Sequence, residues 1–143
     1  MKITQALMAE HVVYHSLFDH IERTLPGLKT LAEVRTVAAL LESMLKVHAE
    51  VEDKLLIEPL EPAFSQLGQT DSFHHEHEEI DRDLFEVPKV RQLAQAKKIL
   101  LKAVVMSRKH FDKEERLVFP LAEKELSAQS LLTLGRKWQE RRK

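Results

Sequence analysis

Apolar residues recur at steps of three and four along nearly the whole chain, and no segment alternates apolar and polar positions in the manner of a strand. A first helix is expected over about residues 3–25, with Ile3, Leu7, His11, Tyr14, Phe18 and Leu25 on one face and Pro26-Gly27 as its stop. A second is expected over about 31–58, with Thr30 as N-cap, Pro59 just beyond, and Val34, Ala38, Leu41, Leu45, His48, Glu52 and Leu55 as its stripe. Residues 59–70 carry Pro59, Pro62 and Gly68 and read as a connector, with Phe64 and Leu67 tucked against the end of the fold. A third helix starts at Asp71 or Ser72 and runs to about Glu86, ahead of Pro88, on the stripe Phe73, His77, Ile80, Leu84. The fourth starts near Val90 and buries Leu93, Ala96, Leu100, Ala103, Met106, His110, Glu114 and Leu117, until Pro120 kinks or ends it. A short fifth helix, about 127–141, sets Leu131, Leu134 and Trp138 on one face and is expected on the outside.

Amphipathic helices of this length need a partner for each stripe. The simplest arrangement is an all-α, antiparallel up-down four-helix bundle, with its core in about residues 3–121 and the helix at 127–141 added to it. A chain of 143 residues fits this as one domain, 1–143.

Composition removes several classes of function. The 22 basic and 23 acidic residues leave a formal net charge of -1, without the basic excess of a nucleic-acid binder. The basic tail (Arg136, Lys137, Arg141, Arg142, Lys143) reads as a solvated helix end, where cations are favoured. With no Cys there is neither a disulfide nor a thiolate ligand. No apolar run approaches the roughly 18 residues of a membrane span, and Met1-Lys2-Ile3-Thr4 lacks a signal-peptide core. No membrane partner and a cytoplasmic location are therefore expected. Gly-rich phosphate loops, G-x-S-x-G, H-E-x-x-H and the E-x-x-H of ferritin-like bundles do not occur.

What remains is a histidine count of 8, several of them inside the apolar stripes. One internal repeat organises them. His48-Ala-Glu-Val-Glu52-Asp53-Lys54-Leu55-Leu56-Ile57 aligns with His110-Phe-Asp-Lys-Glu114-Glu115-Arg116-Leu117-Val118-Phe119, and a proline follows each copy. The repeat implies a pseudo-two-fold axis between the first and second helix pairs. Histidine and glutamate four apart share one helix face, about 6 Å between Cβ atoms, so both can reach one ion. Burying two ionised carboxylates unpaired costs several kcal/mol or more; a cation offsets that cost. His11 and His77 add an imidazole from each remaining helix. Four histidines and two glutamates exceed what one tetrahedral zinc takes and suit two ions about 3.5–4 Å apart, bridged by carboxylates. Iron, manganese and zinc all accept this donor set. His15, one turn from His11, is an additional ligand or an alternative to it. His74, nearly a turn from His77, is a candidate hydrogen-bond partner of a ligand. His20 and His75 point elsewhere, and Tyr14 reads as a core aromatic beside the pocket.

These residues together resemble the hemerythrin-like, HHE cation-binding family, from about Leu7 to Leu121. The resemblance is carried by Glu10-His11 with Tyr14 and Phe18, by His48 and Glu52, by Glu76-His77-Glu78-Glu79-Ile80, and by His110 through Pro120. It implies two irons per chain, bridged by Glu52 and Glu114 with an oxo or hydroxo group between, and His11, His48, His77 and His110 as terminal ligands. Zinc or manganese are possible substitutes. Oxygen carriers of the family have H-x3-H on the third helix and the fourth-helix acid five residues after its histidine. Here Phe73 holds the first of those positions, and Glu114 lies at four with Glu115, a fallback ligand, at five. Fewer histidines leave more open coordination than a carrier has. Two readings follow: a protein that binds, senses or responds to dioxygen, nitric oxide or iron, and a redox enzyme acting on peroxide or nitric oxide. A structural zinc bundle is the third. Nothing in the pattern fixes an oligomeric state.

Overall fold

The computed structural model describes residues 1–68 and 70–143, Thr70 by its backbone alone. It is all-α: among the described residues there is no strand. Four long helical arms form the bundle. They are α1 (Ile3–Thr24), α2 (Leu31–Glu52) continuing into α3 (Glu58–Leu67), α4 (Thr70–Glu86), and α5 (Leu93–Lys113) continuing into α6 (Phe119–Glu125). A last helix, α7 (Ala128–Arg141), packs outside on α1.

Local chemistry sets the ends. The Thr30 hydroxyl caps α2 by accepting from Glu33 N at 3.1 Å, and Ser127 caps α7 by accepting from Ser130 N at 3.0 Å. Gly68 closes α3 at φ 66°, a left-handed conformation that suits glycine. Pro26 and Pro88 each open a short 3-10 turn (Leu25–Gly27 and Val87–Lys89) that reverses the chain.

Two arms differ from the sequence expectation. Residues 59–67, read as a connector, continue the second arm as helix α3; Phe64 is buried as expected, but Leu67 is exposed. Gln69, in the same segment, lies outside the described residues. Pro120 does not end the fourth arm. In both arms a wide π turn precedes the proline: Asp53–Ile57 before Pro59, and Glu114–Val118 before Pro120. Proline cannot donate to the helix ladder, and its ring collides with the carbonyl four residues back. A wider turn relieves both problems, and such turns are frequent at functional sites. The extra residue also shifts the buried face. Val118 takes the core position, and Leu117, expected in the stripe, is 59% exposed.

The core is split in two. One cluster holds Tyr14, Phe18, Ile21, Leu41, Leu45, Ile80, Leu84, Leu100 and Phe111; the other holds Ile3, Leu7, Leu55, Leu56, Phe64, Phe73, Val118, Phe119 and Leu131. Every long arm crosses from one to the other, α1 and α4 in one sense, α2 and α5 in the opposite sense. This is the up-down antiparallel order. Full burial of each such side chain contributes about 1.5–3 kcal/mol, so the bundle is secured at both ends. The layer between the clusters is free to be polar. It contains His11, His48, Glu52, His77, His110 and Glu114.

Candidate metal centre

In that layer the apolar stripes break where each arm passes the midpoint. Glu52 and Glu114 are 0% exposed, His11 is 0%, and His48 and His110 are 2%; His77 is partly buried. The histidine ring edges converge on the two carboxylates. His11 Nε2 lies 3.0 Å from Glu114 Oε2, and His110 Nε2 touches Glu114 Oε1. His77 Nε2 lies 4.0 Å from Glu114 Oε1, and His48 Nε2 lies 3.5 Å from Glu52 Oε2. Two groups of donor atoms result: Glu52, His77, His110 and Glu114, and His11, His48 and Glu114, each within 4.8 Å of one another. Glu114 belongs to both.

The far edge of each buried ring is held by another carboxylate. Glu10 Oε2 accepts from His48 Nδ1 at 2.6 Å, and Glu76 Oε2 accepts from His110 Nδ1 at 2.6 Å. Glu115 Oε1 accepts from His11 Nδ1 at 3.0 Å, and Asp53 Oδ1 lies 3.9 Å from His77 Nδ1. The pattern repeats across the two halves. The acid before each α1 or α4 histidine orients the motif histidine, and the acid after each motif glutamate faces the α1 or α4 histidine. An ionised carboxylate only accepts hydrogen bonds. It therefore fixes the proton on Nδ1 and leaves Nε2 as a bare lone pair, the arrangement metal-binding histidines need.

In the forms that bind a cation, neutral imidazole and ionised carboxylate, those lone pairs meet oxygens that also lack protons. All four oxygens of Glu52 and Glu114 are buried without a hydrogen bond, as is His110 Nε2. The 3.0 Å approach of His11 to Glu114 is close but not oriented as a hydrogen bond. Buried polar atoms of this kind are rare without a partner, and a cation at their centre satisfies every one. The residues present therefore fit a metal.

Electrostatics point the same way. Burial, with Glu114 beside it, pushes the Glu52 carboxyl well above the usual carboxylate range. Burial pushes Glu114 up as well, but the adjacent His110 and His11 outweigh this and hold it low. Burial pulls His110 down, yet the Glu114 carboxylate more than reverses this and raises it to about 9. A proton on His110 thus takes the place a cation would fill. His77, desolvated and next to His110, is pulled down to about 4. Glu76, held by the His110 hydrogen bond, sits at about 2.

Further residues shape the surroundings. Phe111 stacks on His11 at 3.9 Å between centroids, with 3° between planes. A cavity of about 30 Å³ lies between His48, His77 and His110, walled by Leu45, Ala49, Ile80, Ser107 and Phe111, and reaching the exposed Asp81. Tyr14 is buried at 7% exposure, with its hydroxyl donating to the Met44 carbonyl; burial raises it to about 12.

All six residues proposed from the sequence thus meet in one layer. His15 bonds Glu115 at 2.9 Å in a separate, partly exposed group with Asp112. Glu115 lies between this group and His11. His74, His20 and His75 are exposed, and His74 joins none of the three donor groups found among the described residues. Sequence reasoning gave no role to Glu10 or Glu76. The signal was present: each immediately precedes a stripe histidine, at matching places in the two halves.

No helix among the described residues is long and apolar enough to cross a membrane. Comparison with curated proteins and with solved structures gives no match. The family model described as the hemerythrin HHE cation binding domain matches residues 2–122, which take in the first three arms, nearly all of the fourth and every buried histidine and glutamate above. The chain belongs to the hemerythrin HHE cation-binding domain family.

Proposed function

We infer that this chain is a non-haem di-iron protein that binds or senses a small diatomic ligand, dioxygen or nitric oxide. The observation that carries the reading is the set of four buried carboxylate oxygens without hydrogen bonds, faced by imidazoles whose other nitrogens are tied to acids. Two buried carboxylates and four imidazoles around one point call for more positive charge than one proton supplies. His11 and His48 would hold one ion and His77, His110 and Glu52 the other, with Glu114 reaching both. Iron, when bound, supplies one-electron chemistry and open positions for a diatomic ligand. Manganese or zinc can occupy the same donors.

The chain's own residues select the ligand. The cavity beside His77 is the size of one water or one diatomic molecule. Its walls are mostly apolar, so a neutral ligand enters with little desolvation. Phe111 closes the opposite side by lying flat on His11. Because the cavity reaches the surface at Asp81, a second reading has support: turnover of peroxide or nitric oxide with an external reductant.

Anaerobic loading with ferrous iron, followed by dioxygen, nitric oxide or peroxide, tests both. About two irons per chain and visible bands that reverse when the gas is removed support binding. Sustained loss of peroxide or nitric oxide supports the enzyme. A chain that takes up zinc but no iron, and has no reaction with any of the three, sinks both.

A further inference from the structure

Residues 123–143 lie beyond the matched domain, and α7 is among them. Leu131 anchors α7 in the lower core, with Leu134 and Trp138 packed alongside. From there Trp138 Nε1 donates to Glu10 Oε1 at 2.9 Å, and Arg142 Nε donates to the same oxygen at 2.8 Å, with a second guanidinium nitrogen of Arg142 also bonded to it. The other oxygen, Glu10 Oε2, holds His48. Two residues of α7 and its cap therefore grip the carboxylate that orients a buried imidazole of the site. Among the described residues, the opposite half has no grip from outside the four arms. There Glu76 Oε1 accepts from Lys113 Nζ at 3.0 Å, a cation supplied by α5, the helix that carries His110 itself.

A glutamate side chain at the bundle surface loses rotamer freedom when it is fixed. One hydrogen bond to His48 has to compete with solvent for that carboxylate. Charge-assisted bonds from a guanidinium, plus the indole N–H, remove the competition. We propose that Trp138 and Arg142 are positioning residues for the metal centre, holding Glu10 so that His48 keeps Nε2 bare and aimed at Glu52 and Glu114. The α7 helix is then a working part of the site. Coupling is reciprocal: if α7 docking tightens metal binding at His48, metal binding tightens α7 docking. This rests on the metal reading above.

The test uses the full chain, ion-free, titrated with Co2+ and followed by its ligand-field absorption. The His48 Nδ1 proton is followed in parallel by NMR before any metal is added. Loss of a direct partner of a ligand typically costs 10–100-fold in metal affinity, so loss of a partner one bond further out should cost about three- to tenfold. Trp138→Phe, which keeps a ring but lacks the N–H, and Arg142→Gln should each weaken Co2+ binding by that factor, alter the bands, and expose the His48 proton to exchange with water. Arg142→Lys should recover part of the loss. Arg136→Gln, an exposed α7 residue that contacts Thr133, should change nothing. Wild-type Co2+ affinity together with a protected His48 proton in Trp138→Phe and Arg142→Gln overturns the proposal, even if their melting temperatures fall. Absence of Co2+ binding by the parent chain removes the metal reading, while the His48 proton still decides whether α7 positions Glu10.

Discussion

The two halves of the centre are built from one pattern and finished differently. In the α1–α2 half, His11 is fully buried, stacked on Phe111, and its Glu10 is gripped from outside by α7. In the α4–α5 half, His77 is partly exposed and borders the small cavity, and the Glu76 oxygen that faces away from His110 accepts from Lys113 of α5. The carboxylates differ as well. Glu114 lies against His11 and His110 and is held low, whereas Glu52, desolvated and beside Glu114, is pushed high. One half is sealed and held, and the other is open to small molecules. A duplicated motif thus fixes where the donors converge, while the side chains around it decide how closed each half is.

The largest expected effect separates the two glutamates. Glu114→Ala should take metal content from about two ions per chain to near none, whereas Glu52→Ala should leave about one, because only Glu114 belongs to both donor groups. Elemental analysis of the purified chains decides this; equal losses would make the halves equivalent. Next, His11→Ala should destabilise the ion-free protein by about 2–4 kcal/mol, as expected for a buried ring that leaves a cavity. His77→Ala should cost clearly less, and urea titration would show the difference. A reversed order would mean that the sealed half is not the one that holds the fold.

Acid and alkali should both act on the buried polar layer. His77 is depressed to about 4 in the fold, so the stability it confers is present above its ordinary value near 6.5 and is lost as pH falls towards 4. Glu76, at about 2, adds a loss in the same direction between pH 4.5 and 2. His110, raised to about 9, works oppositely: its contribution is complete below about 6.5 and disappears as pH rises through 9. The ion-free chain should therefore show urea midpoints that fall towards low pH and again on approach to pH 9, and midpoints rising steadily from pH 6.5 to 9 would refute it. Metal uptake at neutral pH should release a proton from His110, which calorimetry in buffers of different ionisation enthalpy measures. The smallest effect is kinetic. Ala49→Leu should narrow the cavity beside His77 and slow nitric oxide binding several-fold, leaving metal content unchanged.

Much of this was legible in the sequence. The period of three and four located the arms, and histidines held the inward positions 11, 48, 77 and 110 where an apolar residue was expected. The repeat joined Glu52 to Glu114. Less was legible where a side chain's partner is distant in sequence. Glu10 and Trp138 stand 128 positions apart, so only the docking of α7 on α1 brings them together. The prolines misled for a local reason. Pro59 and Pro120 disfavour an ordinary α turn ahead of them, and periodicity alone does not distinguish a helix that stops from one that widens for a single turn.

The π turn ahead of Pro120 has one more consequence. Leu117 is the surplus in that segment, exposed while its neighbours Val118 and Phe119 are buried. A chain shortened by Leu117 and carrying Pro120→Ala would run as an unbroken α-helix, its lower half seated as before. Only the platform beneath Glu114 would be remade. Such a deletion variant would isolate what helix geometry contributes to the centre from what the side chains contribute, with composition and core nearly constant.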